Sequence, residues 1–151
     1  MSDEATIYFY ATADDHGYMS NFADYPIKLD GASWPTTEHY FQAMKFVGTE
    51  HEAHIRKLKS PAIAARMGRS RKLPLRRDWE SVKDDVMRKA VLAKFTQHPE
   101  IAAALIATAP ATLVEKTTRD EYWGCGTSGA GKNMLGVILV ETRTRLMSAS
   151  K

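Results

Sequence analysis

Glu38, Gln42 and Lys45 put an acid, an amide and an amine on one short stretch, TEHYFQAMK. At about 100° per residue on a helix these three fall within about 60° of one another. Tyr40, Phe41, Ala43, Met44 and Val47 take the other side. A carboxylate and an amine on one stripe are the groups of acid–base chemistry and of phosphate binding. The spacing alone favours a plainer reading, a solvated helix face whose Glu38 stabilises the helix N-terminus. A second concentration of charge is Arg66–Arg77, RMGRSRKLPLRR, with six positive side chains and no negative one. Such a run is the electrostatic footprint of a phosphate-bearing partner, and equally the look of a solvated surface loop.

The net charge of +3 conceals this distribution: residues 1–50 balance at −6, residues 51–100 at +7 and residues 101–151 at +2. With 151 residues, 44% hydrophobic and 26% charged, the chain has the composition of one soluble domain with a real core. Disorder, collagen-like repeats and coiled coil are excluded. No apolar run approaches the roughly 18–20 residues of a membrane helix. The start, MSDEATIYFY, is acidic and lacks the pattern of a secretory leader. Cys125 is the single cysteine, so neither an internal disulfide nor a cysteine-rich zinc site is expected. These features predict a cytoplasmic protein without membrane contact. The five histidines show no metal spacing; His51 and His54 stand at i, i+3 on a weak helix with no third ligand, so no metal is expected.

The elements that must position these groups can be read locally. Thr6–Ala11 reads as a strand. Pro26–Trp34 reads as a hairpin, with Asp30-Gly31 supplying the two positive φ values of a type I′ turn. Thr36 is an N-cap for a helix running to Val47 and stopping at Gly48. Glu50–Lys59 follows as a weakly apolar helix. Ser60-Pro61 caps and opens another, for which Gly68 is the C-terminal stop. Asp78 caps a longer helix through Phe95, and Pro99 opens one that ends before Pro110. Thr112–Lys116 is a short strand candidate, and Asn133–Met147 is the last helix. Strands early and helices later, without βαβ alternation, predict an α+β fold, mainly helical with a small antiparallel sheet.

Two glycine motifs in the loop before the last helix fail on context. Gly126–Asn133, GTSGAGKN, fits a P-loop but ends in Asn where Ser or Thr would hold Mg²⁺. Gly124–Gly129, GCGTSG, fits a dinucleotide fingerprint without the required βαβ unit. The loop could still present backbone N–H groups to an anion at a helix N-terminus, or serve as a plain connector.

The run Trp34–Phe46, WPTTEHYFQAMKF, resembles the NADAR (YbiA-like) family. Further blocks follow in that family's order: Ser20–Phe22, Gly68-Arg69, Asp78-Trp79-Glu80, Val86-Met87, Lys94-Phe95, Leu113–Glu115, Asp120 with Trp123-Gly124, and Gly131–Gly136. The resemblance spans about Tyr8 to Leu146 within a single domain of 151 residues. It implies an α+β fold and an N-glycosidase that cleaves a ribosyl C1–N bond without a cofactor. The implied substrates are early riboflavin-pathway intermediates carrying a phosphoribosyl group, or guanine in DNA carrying ADP-ribose. Carried over by position, the catalytic set is Glu38, Lys45, Trp79 and Asp120. Asn21, Phe22, Gln42, Arg69, Trp123, Gly124 and Asn133 become substrate-binding candidates. Thr37, Met44 and Thr117–Arg119 depart from the family pattern without altering a catalytic candidate.

Under this resemblance Glu38 would face the cation developing at C1. Lys45 would bind a phosphate or form a Schiff base with the opened sugar. Trp79 would offer a face for stacking a base, unless it is a core tryptophan. Asp120 would contact the departing base or fix the ribose hydroxyls. Two alternatives stand beside this: a non-catalytic ADP-ribose-binding module and, more weakly, a P-loop phosphotransferase.

Overall fold

Local signals set most element ends in the computed structural model, which describes residues 5–149. The acidic start at residues 1–4 lies outside the described residues. Strand β1 is Thr6–Phe9, followed by a 3-10 turn at Gly17–Met19; β2 is Ile27–Leu29 and β3 is Ala32–Trp34. Helices α1 (Thr37–Met44), α2 (Glu50–Lys57), α3 (Pro61–Gly68), α4 (Trp79–Gln97) and α5 (Pro99–Ala107) precede β4 (Thr112–Glu115) and α6 (Met134–Ala149). The fold is α+β and mainly helical.

The described chain divides into two compact units, Asp24–Lys94 and residues 5–23 with 95–149. In the first, β2 and β3 form the expected antiparallel hairpin, Ile27 opposite Trp34. Asp30 and Gly31 have φ of 56° and 78°, as a type I′ turn demands. Helix α1 packs against α2, α3 and β3. Thr36 caps it by accepting from the His39 amide at 3.2 Å. The His39 ring is fully buried, with Nδ1 2.8 Å from Thr36 Oγ1 and Nε2 2.8 Å from the Leu58 carbonyl. Burial holds this histidine below its usual pKa, consistent with a neutral ring tying α1 to the end of α2. Ser60 Oγ accepts from Ala62 and Ile63 N–H, with Pro61 opening α3.

Three local expectations need correction. Helix α1 ends at Met44, not Val47: Lys45 and Phe46 donate to Gln42 and Ala43 carbonyls, tightening the last turn. Gly68 does not stop α3 by adopting a left-handed conformation; it is the last helical residue, and Arg69 is the C-cap. The physical reason for a glycine there lies in its neighbour, described below. Strand β1 ends at Phe9 rather than Ala11.

In the other unit β1 pairs with β4 in parallel, Thr6 opposite Thr112 through Phe9 opposite Glu115. This parallel pair was not expected, because a small antiparallel sheet was the only one read from the sequence. Helix α6 packs on β4, and α5 on α6. Phe9, Leu105, Leu113, Leu135, Ile138 and Leu139 are fully or almost fully buried here. No helix among the described residues is long and apolar enough to cross a membrane.

Candidate active site

All eight residues of α1 are buried, the polar ones included. Glu38 is 8% exposed, Gln42 4% and Lys45 8%. The stripe that spacing alone would leave to solvent is therefore covered. Spacing tells which side chains share a face, but not which element packs on it. Gln42 Nε2 donates to Glu38 Oε2 at 2.7 Å, one helical turn away. Gln42 Oε1 is buried without a hydrogen-bond partner among the described residues. A Cβ on Gly68 would overlap the Oε1, Cδ and Cβ of Gln42. That close approach is what position 68 requires of its residue.

Lys45 Nζ donates to the Gly68 carbonyl at 3.2 Å. It lies 5.7 Å from the centroid of the Phe41 ring and 5.8 Å from that of Trp79, within reach of a cation–π attraction. Burial lowers the Lys45 pKa to about 8; Glu38 works against that shift, while Arg71, Arg69 and Lys83 add to it. The amine thus titrates close to neutrality, where it can act as a cation or as a nucleophile.

Trp79 opens α4, is 5% exposed and meets Phe41 edge to face with centroids 5.1 Å apart. Of the basic run, Arg76 has an architectural place. Its amide donates to the Lys45 carbonyl at 3.0 Å, its Nη1 reaches the Met44 carbonyl, and its guanidinium chelates Asp78 at 2.6 and 3.0 Å. It thereby satisfies carbonyls at the end of α1. Arg66, Arg69, Arg71, Lys72 and Arg77 are exposed. Gly68 and Arg76 are the two residues whose part in this arrangement sequence reasoning missed. A glycine inside a helical pattern and an arginine two residues before an aspartate were the signals available.

The remaining candidates belong to the other unit. Asp120 Oδ1 accepts from the Tyr122 and Trp123 amides at 2.9 and 2.8 Å, an Asx-type turn that fixes its carboxylate. Trp123 is half-buried and meets Tyr122 edge to face at 4.9 Å. Gly124 is buried where a Cβ would overlap Thr117. Asn133 has φ of 53°; its Nδ2 donates to the Leu113 carbonyl at 2.8 Å and its Oδ1 accepts from the Glu115 amide at 3.0 Å. Its amide is thus spent on joining β4 to the start of α6. Asn21 is buried and Phe22 is 40% exposed.

The glycine loop does not present the anion-binding amides considered above. The N–H groups of Lys132, Asn133, Met134 and Leu135 donate to the carbonyls of Glu121, Gly124, Tyr122 and Trp123. The loop folds over the start of α6 and satisfies the amides a helix N-terminus leaves open. Among the described residues no group of three or more His, Cys, Asp and Glu could hold a metal ion.

A carboxylate and an amine buried on one helix cost free energy to place there, and such costs mark functional sites more than structural ones. Comparison with known proteins defines the class: the NADAR domain model matches residues 8–147, and the chain belongs to that family. It is 58% identical over 143 residues to N-glycosidase YbiA of Escherichia coli (strain K12), covering 95% of this chain and 89% of that protein. The NMR structure of E. coli YbiA superposes with a TM-score of 0.91 at 55% identity, covering 99% of this chain and 89% of that one. A more distant relative is the chloroplastic riboflavin biosynthesis protein PYRR of Zea mays, 41% identical over 156 residues; the match covers 93% of this chain but 25% of that protein. As an enzyme the chain is an N-glycoside hydrolase.

Proposed function

We propose that the chain hydrolyses the C1–N bond between a ribose and a base, and that its substrate class is a free phosphoribosyl-linked pyrimidine of early riboflavin synthesis. The observation that carries this reading is the buried stripe Glu38–Gln42–Lys45. The relative named for riboflavin biosynthesis supports the choice of substrate. As the C1–N bond breaks, its electron pair leaves with the base and positive charge develops at C1. The Glu38 carboxylate stabilises that charge; water then adds to C1 and gives one proton to the carboxylate, the departing base takes one proton from solvent, and the carboxyl returns its proton to solvent, so that one water is consumed and the carboxylate is regenerated. In the covalent variant the neutral Lys45 amine attacks C1 as the base departs. The proton lost from nitrogen goes to the base, ring opening leaves an imine, and one water hydrolyses it. Trp79 stacks the base and Arg69 meets the phosphate; in the other unit Asp120, with its pre-oriented carboxylate, is the residue the family resemblance gives for the ribose hydroxyls. Asn21, Phe22, Trp123 and Gly124 of that same unit are substrate-binding candidates through the family resemblance. The reading uses neither metal nor cofactor, and the free thiol of Cys125 suits a cytoplasmic setting.

A second substrate, ADP-ribosylated guanine in DNA, is favoured by one observation: five of the six positive side chains of residues 66–77 are exposed. Base release from both substrate types, followed by mass in rising salt, separates the two. Activity on the free phosphoribosyl pyrimidine with a shallow salt dependence supports the first reading. Activity only on the nucleic acid, falling steeply with salt as counterions compete, supports the second.

A further inference from the structure

Between Glu38 and Lys45 on helix α1, Gln42 is the side chain that hydrogen-bonds to the Glu38 carboxylate. We infer that Gln42 is a positioning residue for the Glu38 carboxylate rather than a substrate contact, and that Gly68 exists to let it act. The inference rests on the proposed role of Glu38 and deepens it.

Gln42 is 4% exposed, and its amide N–H meets Glu38 Oε2 at 2.7 Å. An amide can offer either end to a neighbour, but a carboxylate accepts only from the NH₂ end. Turning that end to Glu38 sends Oε1 the other way, where it is buried without a partner among the described residues. A buried acceptor left unmet is costly, so the orientation is held by what the other end gains. The gain is a charge-assisted bond to Glu38, stronger than a neutral one. Packing closes the arrangement: the amide lies on the bare Cα of Gly68, where any side chain would overlap it. The same Gly68 offers its carbonyl to Lys45 Nζ at 3.2 Å. One residue without a side chain thus sets the place of the amide that holds Glu38 and receives the amine of Lys45.

A donor aimed at Glu38 favours its charged form, which is the form needed beside a developing cation. The other charged groups around the stripe are Lys45 on α1, Arg69 and Arg71 beyond α3, and Lys83 on α4. From α2, Glu52 acts on Tyr40, at the opposite side of α1.

The test is steady-state kinetics of Gln42→Leu and Gly68→Ala on a cleavable phosphoribosyl pyrimidine, with Glu38→Gln alongside. Gln42→Leu should lower kcat by about 10- to 100-fold with KM nearly unchanged, and move the acidic limb of the kcat/KM profile to higher pH. Gly68→Ala should reproduce the kcat loss by displacing the amide, and the double variant should be little worse than either single one. A raised KM with an unmoved acidic limb in Gln42→Leu would make Gln42 a substrate contact and overturn the inference. So would wild-type kcat in Gln42→Leu when Glu38→Gln is inactive, which leaves the role of Glu38 standing. If Glu38→Gln itself keeps wild-type turnover, the underlying reading fails instead.

Discussion

Lys45 Nζ donates to the carbonyl of Gly68, the last residue of α3, at 3.2 Å. The end of a helix carries partial negative charge and attracts a cation, so this contact favours the ammonium. Burial and the nearby Arg71, Arg69 and Lys83 oppose it, and the amine settles at about 8. That balance gives the first prediction. If Lys45 attacks C1, kcat rises with pH up to about 8 and levels off, because the neutral amine is the nucleophile. Borohydride then traps a covalent enzyme–sugar adduct, and Lys45→Arg abolishes both. If Lys45 binds phosphate, kcat/KM falls above about 8, nothing is trapped, and Lys45→Arg retains part of the activity.

Trp79 is nearly sealed and touches Phe41 edge to face. Trp79→Ala should therefore cost about 3–5 kcal/mol of stability, which obscures any effect on binding. Trp79→Phe keeps most of the packing and is the informative variant. If the indole stacks the base, kcat/KM falls by about 5- to 100-fold with only a small change in melting temperature. Unchanged kinetics would make Trp79 a core residue alone.

Thr36 holds α1 at its N-terminus in two ways, by capping the His39 amide and by meeting the His39 ring at 2.8 Å. Thr36→Ala should cost about 1–2 kcal/mol, read by urea denaturation. Because the stripe begins two residues later, kcat should fall as well. A variant that loses stability but keeps full activity would show that the start of α1 tolerates movement.

Much of this architecture is legible locally. Asp30-Gly31, Thr36, Ser60-Pro61 and Pro99 each mark a backbone requirement that only a few residue types meet, and each stands where the sequence predicts. The parallel pairing of β1 with β4 is not legible, because four-residue strands separated by a hundred residues leave no periodicity to match. Gly68 shows a different limit. Read along the chain it is a helix stop; across the fold it is the surface on which Gln42 lies. The burial of Glu38 and Lys45 was likewise invisible in their spacing, which fixes a shared face but not its cover. The family resemblance singles them out, and the packing shows both of them buried. The amides at the start of α6 went the other way: open in the sequence, they are met by carbonyls of the loop before them.

Lys94 gives a prediction about stability and pH. It is 2% exposed, with Nζ 5.6 Å from the Tyr25 ring centroid, and burial lowers its pKa to about 7. Between pH 7 and the usual lysine value the unfolded chain binds the extra proton and the folded one does not, so stability rises with pH. Urea denaturation should show a gain of about 3–4 kcal/mol from pH 7 to pH 9, most of it from Lys94. Lys94→Met should flatten that rise, leaving the part above pH 8 that Lys45 contributes. A wild-type stability that stays level or falls over this range would contradict the assignment.

The central claim is that the carboxylate buried on α1 drives cleavage of a ribosyl C1–N bond. The most direct measurement is base release by mass from a phosphoribosyl pyrimidine, comparing the wild-type chain with Glu38→Gln and Asp120→Asn at matched folded concentration. The account predicts free base from the wild type, a loss of about a hundredfold or more in Glu38→Gln, and a smaller loss in Asp120→Asn. Near wild-type release from both variants would contradict it.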